Sequence, residues 1–261
     1  RDIVSERGLQ SGHVHVGAGP YPAQSTLTTA LTRFVVAYPR VVVRVLMREW
    51  DELLRKLRAR EIEFFVAEVS TLSGETDIEV EPLHKHPTFI LARHGHPLAG
   101  RTPASIADAF AYPCVSVCRI PPRSLEPIRS AQRRSSDATA AQRVFPAIEF
   151  NSFEVIKKIV LGSDAIMVAP LTCAEDELEG GRMVALGSEP YLATNYGVVK
   201  LKSQPLTAAG ARFRDYVLEA EHALTEHERE LIERWRPRPA QHSHARHPAP
   251  ARERRTPRLR A

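Results

Sequence analysis

The chain has 261 residues, 43% of them hydrophobic, which is enough to bury a sizeable core in one large domain or two smaller lobes. Its net charge of +5 is misleading: residues 237–261 carry seven arginines against one glutamate, so the preceding part sums to −1 and a basic nucleic-acid-binding body is excluded. No apolar run approaches the roughly 20 residues of a membrane span, and the opening "RDIVSERGLQ" has no apolar stretch of the kind that directs secretion.

In chain order, "HVHVGA" alternates as a strand and halts at Gly17–Pro22. A helix follows, with Leu27, Leu31, Phe34 and Val35 on one stripe, and ends before Pro39. "VVVRVLM" is a continuous β-branched run, as expected of a strand buried on both faces. "EWDELLRKLRARE" is a charged helix turning Leu53, Leu54 and Leu57 inward, and "IEFFVAE" is a third strand. This βαβαβ order is the grammar of an open parallel sheet. A second alternating set occupies roughly 113–190: "AYPCVSV", a helix at "SLEPIRSAQRRS", "AIEF", the helix "SFEVIKKIVLG", "AIMVAP" and "GRMVAL". "NYGVVKL" returns as a strand, and a long helix runs from "PLTAAG" to "EHAL". Thr225 and Glu228 read as a capping box that starts an extension of that helix over 224–236. The Pro-, Arg- and His-rich 237–261 has little to bury and reads as disordered.

The expected fold is α/β: two Rossmann-like lobes joined by two crossover segments, with the ligand cleft between them. Lobe I takes 12–112 and 192–223, and lobe II takes 113–191. His13 and His15 read as the wetter face of an edge strand.

The turn "GAGPYP" is not a nucleotide fingerprint. Gly17 and Gly19 fit G-x-G-x-x-G, but Pro22 takes the third glycine's place, no acidic residue ends the next strand, and no P-loop lysine is present. Pro22 suits the first helical turn, where a missing N–H costs nothing. The free N–H groups after it are expected to point into the cleft. In the second set, Asn151 as N-cap and Glu154 at N3 form a reciprocal box. Two helix N-termini, one per lobe, would then clamp an anionic group.

Other constellations are weaker. His84/His86 and His94/His96 form H-x-H twice, but no acidic or Cys ligand accompanies them, so no metal is expected. Three cysteines, an odd number without C-x-x-C, fit a reducing compartment, and Cys114 and Cys118 on a strand are about 13 Å apart. There is no G-x-S-x-G and no H-E-x-x-H. Neither an enzyme nor a cofactor is expected.

Taken in order, "VGAGPYPAQSTLTTALTRFVVAYPRVVVRVL", "ELLRKLRAREIEFFVAE", "PLHKHPTFILARHGHPLAG", "YPCVSV" and "FNSFEVIKKIVLGSDAIMVAP" resemble the effector-binding (co-inducer) domain of LysR-type transcriptional regulators over about residues 12–220. The resemblance implies a periplasmic-binding-protein-like fold and a small effector, anionic or aromatic, held between the lobes. It places Gly19, Pro20, Tyr21 and Pro22 at the cleft from lobe I. From lobe II come Ser116, Cys118, Arg119, Asn151 and Ser152. It also implies a cytoplasmic homodimer or homotetramer, with Leu27, Leu31 and Phe34 as candidates for its face. DNA would be reached only through an N-terminal helix-turn-helix that this chain lacks, residues 1–11 being a remnant of the linker that joins it.

The chain departs from the family's pattern at Pro20–Tyr21–Pro22, where polar residues are usual, at Arg60 in place of a glycine, at Glu63 in place of an aspartate, and at Ser163–Ile166. The alternatives are a free-standing solute-binding protein of the same shape and, less favoured, an α/β enzyme.

Overall fold

In the first strand, β1 (Gly12–Ala18), every second residue goes inward: Val14, Val16 and Ala18 are fully buried. The computed structural model describes residues 12–100, 106–135, 137 and 140–235. The readings of 1–11 as linker and of 237–261 as disordered lie outside them.

β1 pairs in parallel with β2 (Val41–Met47) on one side and β3 (Phe64–Glu68) on the other. β10 (Tyr196–Leu201) runs antiparallel between β3 and β4 (Ile78–Pro82), giving the order β2-β1-β3-β10-β4. On one face, α2 (Thr26–Ala37) and the first half of α8 (Ala208–Trp235) bury Leu27, Phe34, Phe213 and Val217 against β1. On the other, α3 (Trp50–Arg58) seals Leu53, Leu54 and Leu57 against Phe65 and Ile78. Gly17 stands where these layers meet. A Cβ there would lie 2.5 Å from Leu53 Cδ2 and 2.8 Å from Phe65 Cβ, so its role is close packing.

The second sheet has the order β7-β6-β8-β5-β9. β6 (Cys114–Ser116) is parallel to β7 (Ile148–Glu149) and β8 (Ile166–Ala169). β5 (Phe89–Arg93) is antiparallel to β8 and to β9 (Met183–Ser188). One face is covered by α6 (Phe153–Leu161), α7 (Glu175–Glu179) and the end of α8. The other is covered by α4 (Ile106–Ala109) and α5 (Pro122–Arg133).

Several expectations are corrected. β5 lies in the second sheet because Phe89–Leu91 pair with both β8 and β9, so the chain changes sheet at 83–88 and not at 112. β1 is interior, and β2 is the edge strand; Val42 and Val45 are therefore exposed instead of buried on both faces. The helix after Pro22 breaks at Ser25 into α1 (Pro20–Gln24) and α2, and its buried stripe is Leu27, Ala30 and Phe34, with Val35 outside. α8 runs unbroken through Thr225, whose hydroxyl bonds back to Glu221 O, so no capping box starts there. Arg60 does occupy a left-handed position (φ 57°) after α3. Its N–H reaches Leu57 O and the next N–H reaches Lys56 O, the Schellman pattern in which glycine is favoured. In each H-x-H pair one ring is buried (His86, His96) and the other exposed (His84, His94).

The chain crosses between sheets twice, and the two crossings are stitched together. His86 N donates to Thr194 Oγ1 (2.9 Å), Thr194 N to His86 O (3.0 Å) and Thr88 Oγ1 to Leu192 O (2.8 Å). The His86 ring is buried between two carboxylates of α8: Nε2 is 2.7 Å from Glu221 Oε1 and Nδ1 is 2.7 Å from Glu228 Oε2. Thr26 Oγ1 of α2 donates to the other oxygen of Glu221 (2.7 Å). Burial alone would depress the His86 pKa, but the hydrogen bonds and charges of Glu221 and Glu228 outweigh it and hold the pKa at about 9.

A folded pKa above the unfolded value means that this cluster stabilises fully below about pH 6.5 and is lost as pH rises through about 9. Accordingly, His86→Ala should cost about 3–5 kcal/mol in urea unfolding at pH 7, because two buried carboxylates lose their cation. The gap between wild type and variant should narrow between pH 7 and 10.

Candidate functional site

Between the sheets lies a cleft with about 730 Å³ of space unfilled by atoms, part of it open to solvent. Lobe I supplies α1 with its N-cap Gly19, the start of α3 (Arg48, Glu49, Trp50), and the end of β3 (Ala67, Glu68). The crossings supply Thr88, Leu192 and Thr194, and β10 adds Tyr196. Lobe II supplies the turn Cys118–Pro121, Arg123, Ser124 and Ile128 of α5, together with Phe145 and Val168. The lining is mostly apolar.

Three ties span the gap. At the back, Tyr21 Oη donates to Val168 O of β8 (2.5 Å). Its ring meets Phe153 edge-on at 5.3 Å and lies tilted 6.2 Å from Tyr196. Burial, followed by the neighbouring thiols, raises the Tyr21 pKa well above 10, so it remains a proton donor at neutral pH. In the middle, Arg123 Nη2 of α5 reaches Glu68 Oε2 (3.2 Å) and Ala193 O (2.7 Å). The other Glu68 oxygen accepts Ser70 N–H (3.0 Å). At the mouth, the Arg119 guanidinium lies 5.1 Å over the Trp50 ring and 3.3 Å from Asp51 Oδ2, while Arg119 N–H donates to Glu49 Oε1 (3.2 Å). Burial raises the Glu49 pKa against the lowering effect of that N–H.

Of the residues singled out from sequence, Gly19, Pro20, Tyr21, Pro22, Cys118 and Arg119 line this cleft; Ser116, Asn151 and Ser152 do not. Ser116 is buried beneath the turn, its hydroxyl bonded to Cys118 O (2.6 Å). The N-cap of α6 is Ser152, with no side-chain cap bond. Glu154 pairs with Lys157 (3.1 Å) instead of reaching back to the cap. The helix that starts at the cleft from lobe II is α5, so Asn151 and Ser152 fall out of the clamp expected of them.

Nor do the N–H groups after Pro22 face the cleft: Ala23 N–H bonds Gly19 O (3.0 Å) and Ser25 N–H bonds Tyr21 O (3.1 Å). Sequence reading missed Arg48, Glu49, Trp50, Glu68 and Arg123. The first four follow or end β2 and β3, and in α/β sheets ligands gather at the carboxyl ends of strands; that rule was the available signal. The three cysteines are free, and burial first of all pushes the Cys118 thiol far above its ordinary value, keeping it protonated. Among the described residues no group of three or more His, Cys, Asp or Glu is placed to hold a metal.

Residues 7–221 match the family described as the LysR substrate binding domain. The chain belongs to that family. Its relatives include the SDS degradation transcriptional activation protein of Pseudomonas sp., 34% identical over 225 residues, covering 84% of this chain and 71% of that protein. Another is the HTH-type transcriptional regulator GalR of Pseudomonas putida, 26% identical over 185 residues and covering 71% and 45%. Among solved structures, the cofactor-binding domain of the Cbl transcriptional regulator superposes with a TM-score of 0.63 at 18% identity, covering 85% and 94%. HinK, a LysR-family regulator from Pseudomonas aeruginosa, gives 0.57 at 21% identity, covering 80% and 69%. These two show the two-lobed LysR fold. The second half of α8 lies beyond the matched residues of the LysR domain. No helix among the described residues is long and apolar enough to cross a membrane.

The Tyr21–Val168 tie is open to direct measurement. Tyr21→Phe keeps the ring contacts and leaves the Val168 carbonyl without its donor, so urea unfolding should show a loss of about 1–2 kcal/mol. Tyr21→Ala should lose clearly more, since the contacts with Phe153 and Tyr196 go too.

Proposed function

We propose that this LysR domain is the effector-sensing part of a transcription regulator, reading a small anionic or aromatic molecule in the cleft lined by Tyr21, Trp50, Arg119 and Tyr196. The observation that carries the reading is the inter-lobe cleft itself, bridged by a few discrete ties. A ligand that favours one arrangement of Tyr21–Val168, Glu68–Arg123 and Trp50–Arg119 over another shifts the balance between lobe positions by its differential affinity, and by nothing else. That shift passes to a DNA-binding part outside the described residues. No chemical step on the ligand is part of this reading. The relatives are named as regulators, which favours it over a free-standing solute-binding protein, and the cytoplasm is the compartment that suits contact with DNA.

The test is a thermal-shift panel of aromatic and aliphatic carboxylates. A ligand selective for the native state raises the melting point with concentration. Tyr21→Ala should abolish the rise produced by an active compound. An unaltered rise in that variant would place the effector elsewhere.

Self-association is part of the proposal. β2 and α2 leave an apolar strip at one end of the first sheet, with Val35 60% and Val36 81% exposed beside Val42 and Val45. The edge strand β7 of the second sheet exposes Ile148, followed by Phe150 at 45%. A two-fold axis that sets the first strip against the second buries both twice over. Leu27 and Phe34, suggested by sequence for this role, are core residues, and Leu31 is half-buried. Wild type should sediment as a dimer at micromolar concentration and Val36→Arg as a monomer; a monomeric wild type at 100-fold higher concentration would remove the dimer from the scheme.

A further inference from the structure

The cleft carries information about its occupant beyond the reading above, on which this inference rests. Of the three helices that begin at it, α1 and α5 do so with proline, and α3 does so among carboxylates, with Glu49 as N-cap and Asp51 and Glu52 in its first turn, which disfavour a polyanion there. In α1 the first three residues are Pro20, Tyr21 and Pro22, so two of the three amides that a helix start normally offers are missing. In α5 the N-cap is Pro121 and the first residue Pro122, while Ser124 N–H is turned back to Pro121 O (2.9 Å). Gly19 N–H is also spent, on Val66 O (2.8 Å). Neither α1 nor α5 therefore offers the run of free amides that cradles a small polyanion.

Most of the interior side-chain donors are committed as well, the Tyr196 hydroxyl being the exception. Tyr21 Oη is bonded to Val168 O, Thr88 Oγ1 to Leu192 O and Ser124 Oγ to Tyr191 O. Arg123 is divided between Glu68 and the carbonyls of Tyr191 and Ala193. A polar group pushed inward would have to break one of these bonds without replacing it, which costs more than the bond returns. What remains to greet a ligand in the interior is mainly apolar surface, Ala67, Ile128, Phe145, Val168 and the ring of Tyr196, with one hydroxyl, that of Tyr196.

The mouth differs. Arg48 is paired with Glu52 and Arg119 with Asp51, at 3.2 and 3.3 Å, and all four side chains are at least one-third exposed. Such surface pairs contribute little and exchange readily for another anion.

We infer that the cleft takes a monocarboxylate with a hydrocarbon body, chain inward and carboxylate at the mouth against Arg119 and Arg48, and that it discriminates against short polyanions. The hydrocarbon supplies the affinity, and the arginines set which end stays outside.

The experiment is calorimetric titration of the intact chain with straight-chain carboxylates from butanoate to decanoate, the n-alkanols of equal length, and short di- and tricarboxylates. The dissociation constant of the carboxylates should fall about fourfold per methylene until the cavity is filled. Arg119→Ala should weaken the carboxylates roughly tenfold and leave the alkanols unchanged. Ile120→Trp, at a half-buried position on the mouth turn, should shorten the longest chain accepted. Binding of the short polyanions with no dependence on chain length would overturn this inference and leave the sensing role standing. Heat from none of the three series, together with no hit in the wider panel, would remove both.

Discussion

Two sheets connected by two short strands of chain could hinge freely were it not for what surrounds His86. The imidazolium sits in one crossing, its backbone is bonded to the other through Thr194, and its two ring nitrogens are taken by carboxylates from a helix that belongs to neither crossing. A cation buried alone would be costly; flanked on both sides, it becomes a junction at which crossing, helix and, through Thr26, lobe I are held in a single arrangement. The cleft's width and the alignment of its three ties follow from that junction. Tyr21 can meet Val168, and Arg123 can meet Glu68, only while the lobes stand as this cluster sets them.

The cleft is more specialised than its position in the fold requires. Its walls carry hydroxyls and guanidinium groups, yet those of Tyr21, Thr88, Ser124 and Arg123 are directed at the protein's own carbonyls and carboxylates. Prolines occupy the starts of α1 and α5, where amides would otherwise project. A site arranged in this way selects by withholding polar partners from its interior, and it leaves charge only where solvent already screens it.

Much of the fold was legible because burial imposes a period. β1 shows its alternation directly, α3 its three leucines, and the order of strands and helices announced two α/β sets. What escaped were features settled by partners distant in sequence. "FILAR" is a strand on any reading, but only its pairing with β8 and β9 assigns it to the second sheet. "VVVRVLM" looks like an interior strand, yet it lies at an edge because no later segment joins it. The short β4, with alternating Ile78, Val80 and Pro82, is too brief for a pattern to stand out.

The site divided in the same way. The turn Gly19–Pro22 was recognisable from its place after a strand, whereas Cys118 and Arg119 came only through the resemblance to the LysR effector-binding domain. Asn151 and Ser152 offered a persuasive local sign, a cap three residues before a glutamate, but Lys157 claimed that glutamate and topology gave the cleft to α5. Arg123 and Glu68 are 55 residues apart and carry no motif; their pairing exists only once the lobes are assembled.

Helix α8 packs Phe213 and Val217 into the first lobe and Leu231, with Ile232 and Trp235 beside it, into the second. At about 1.5 Å per residue it is a rod of about 42 Å fixed at both ends. Such a rod resists a jaw-like swing, because pivoting about the crossings would either bend it or pull Leu231 out of its socket. It accommodates gliding, in which one lobe slips along the helix by a fraction of a turn while its side chains stay seated.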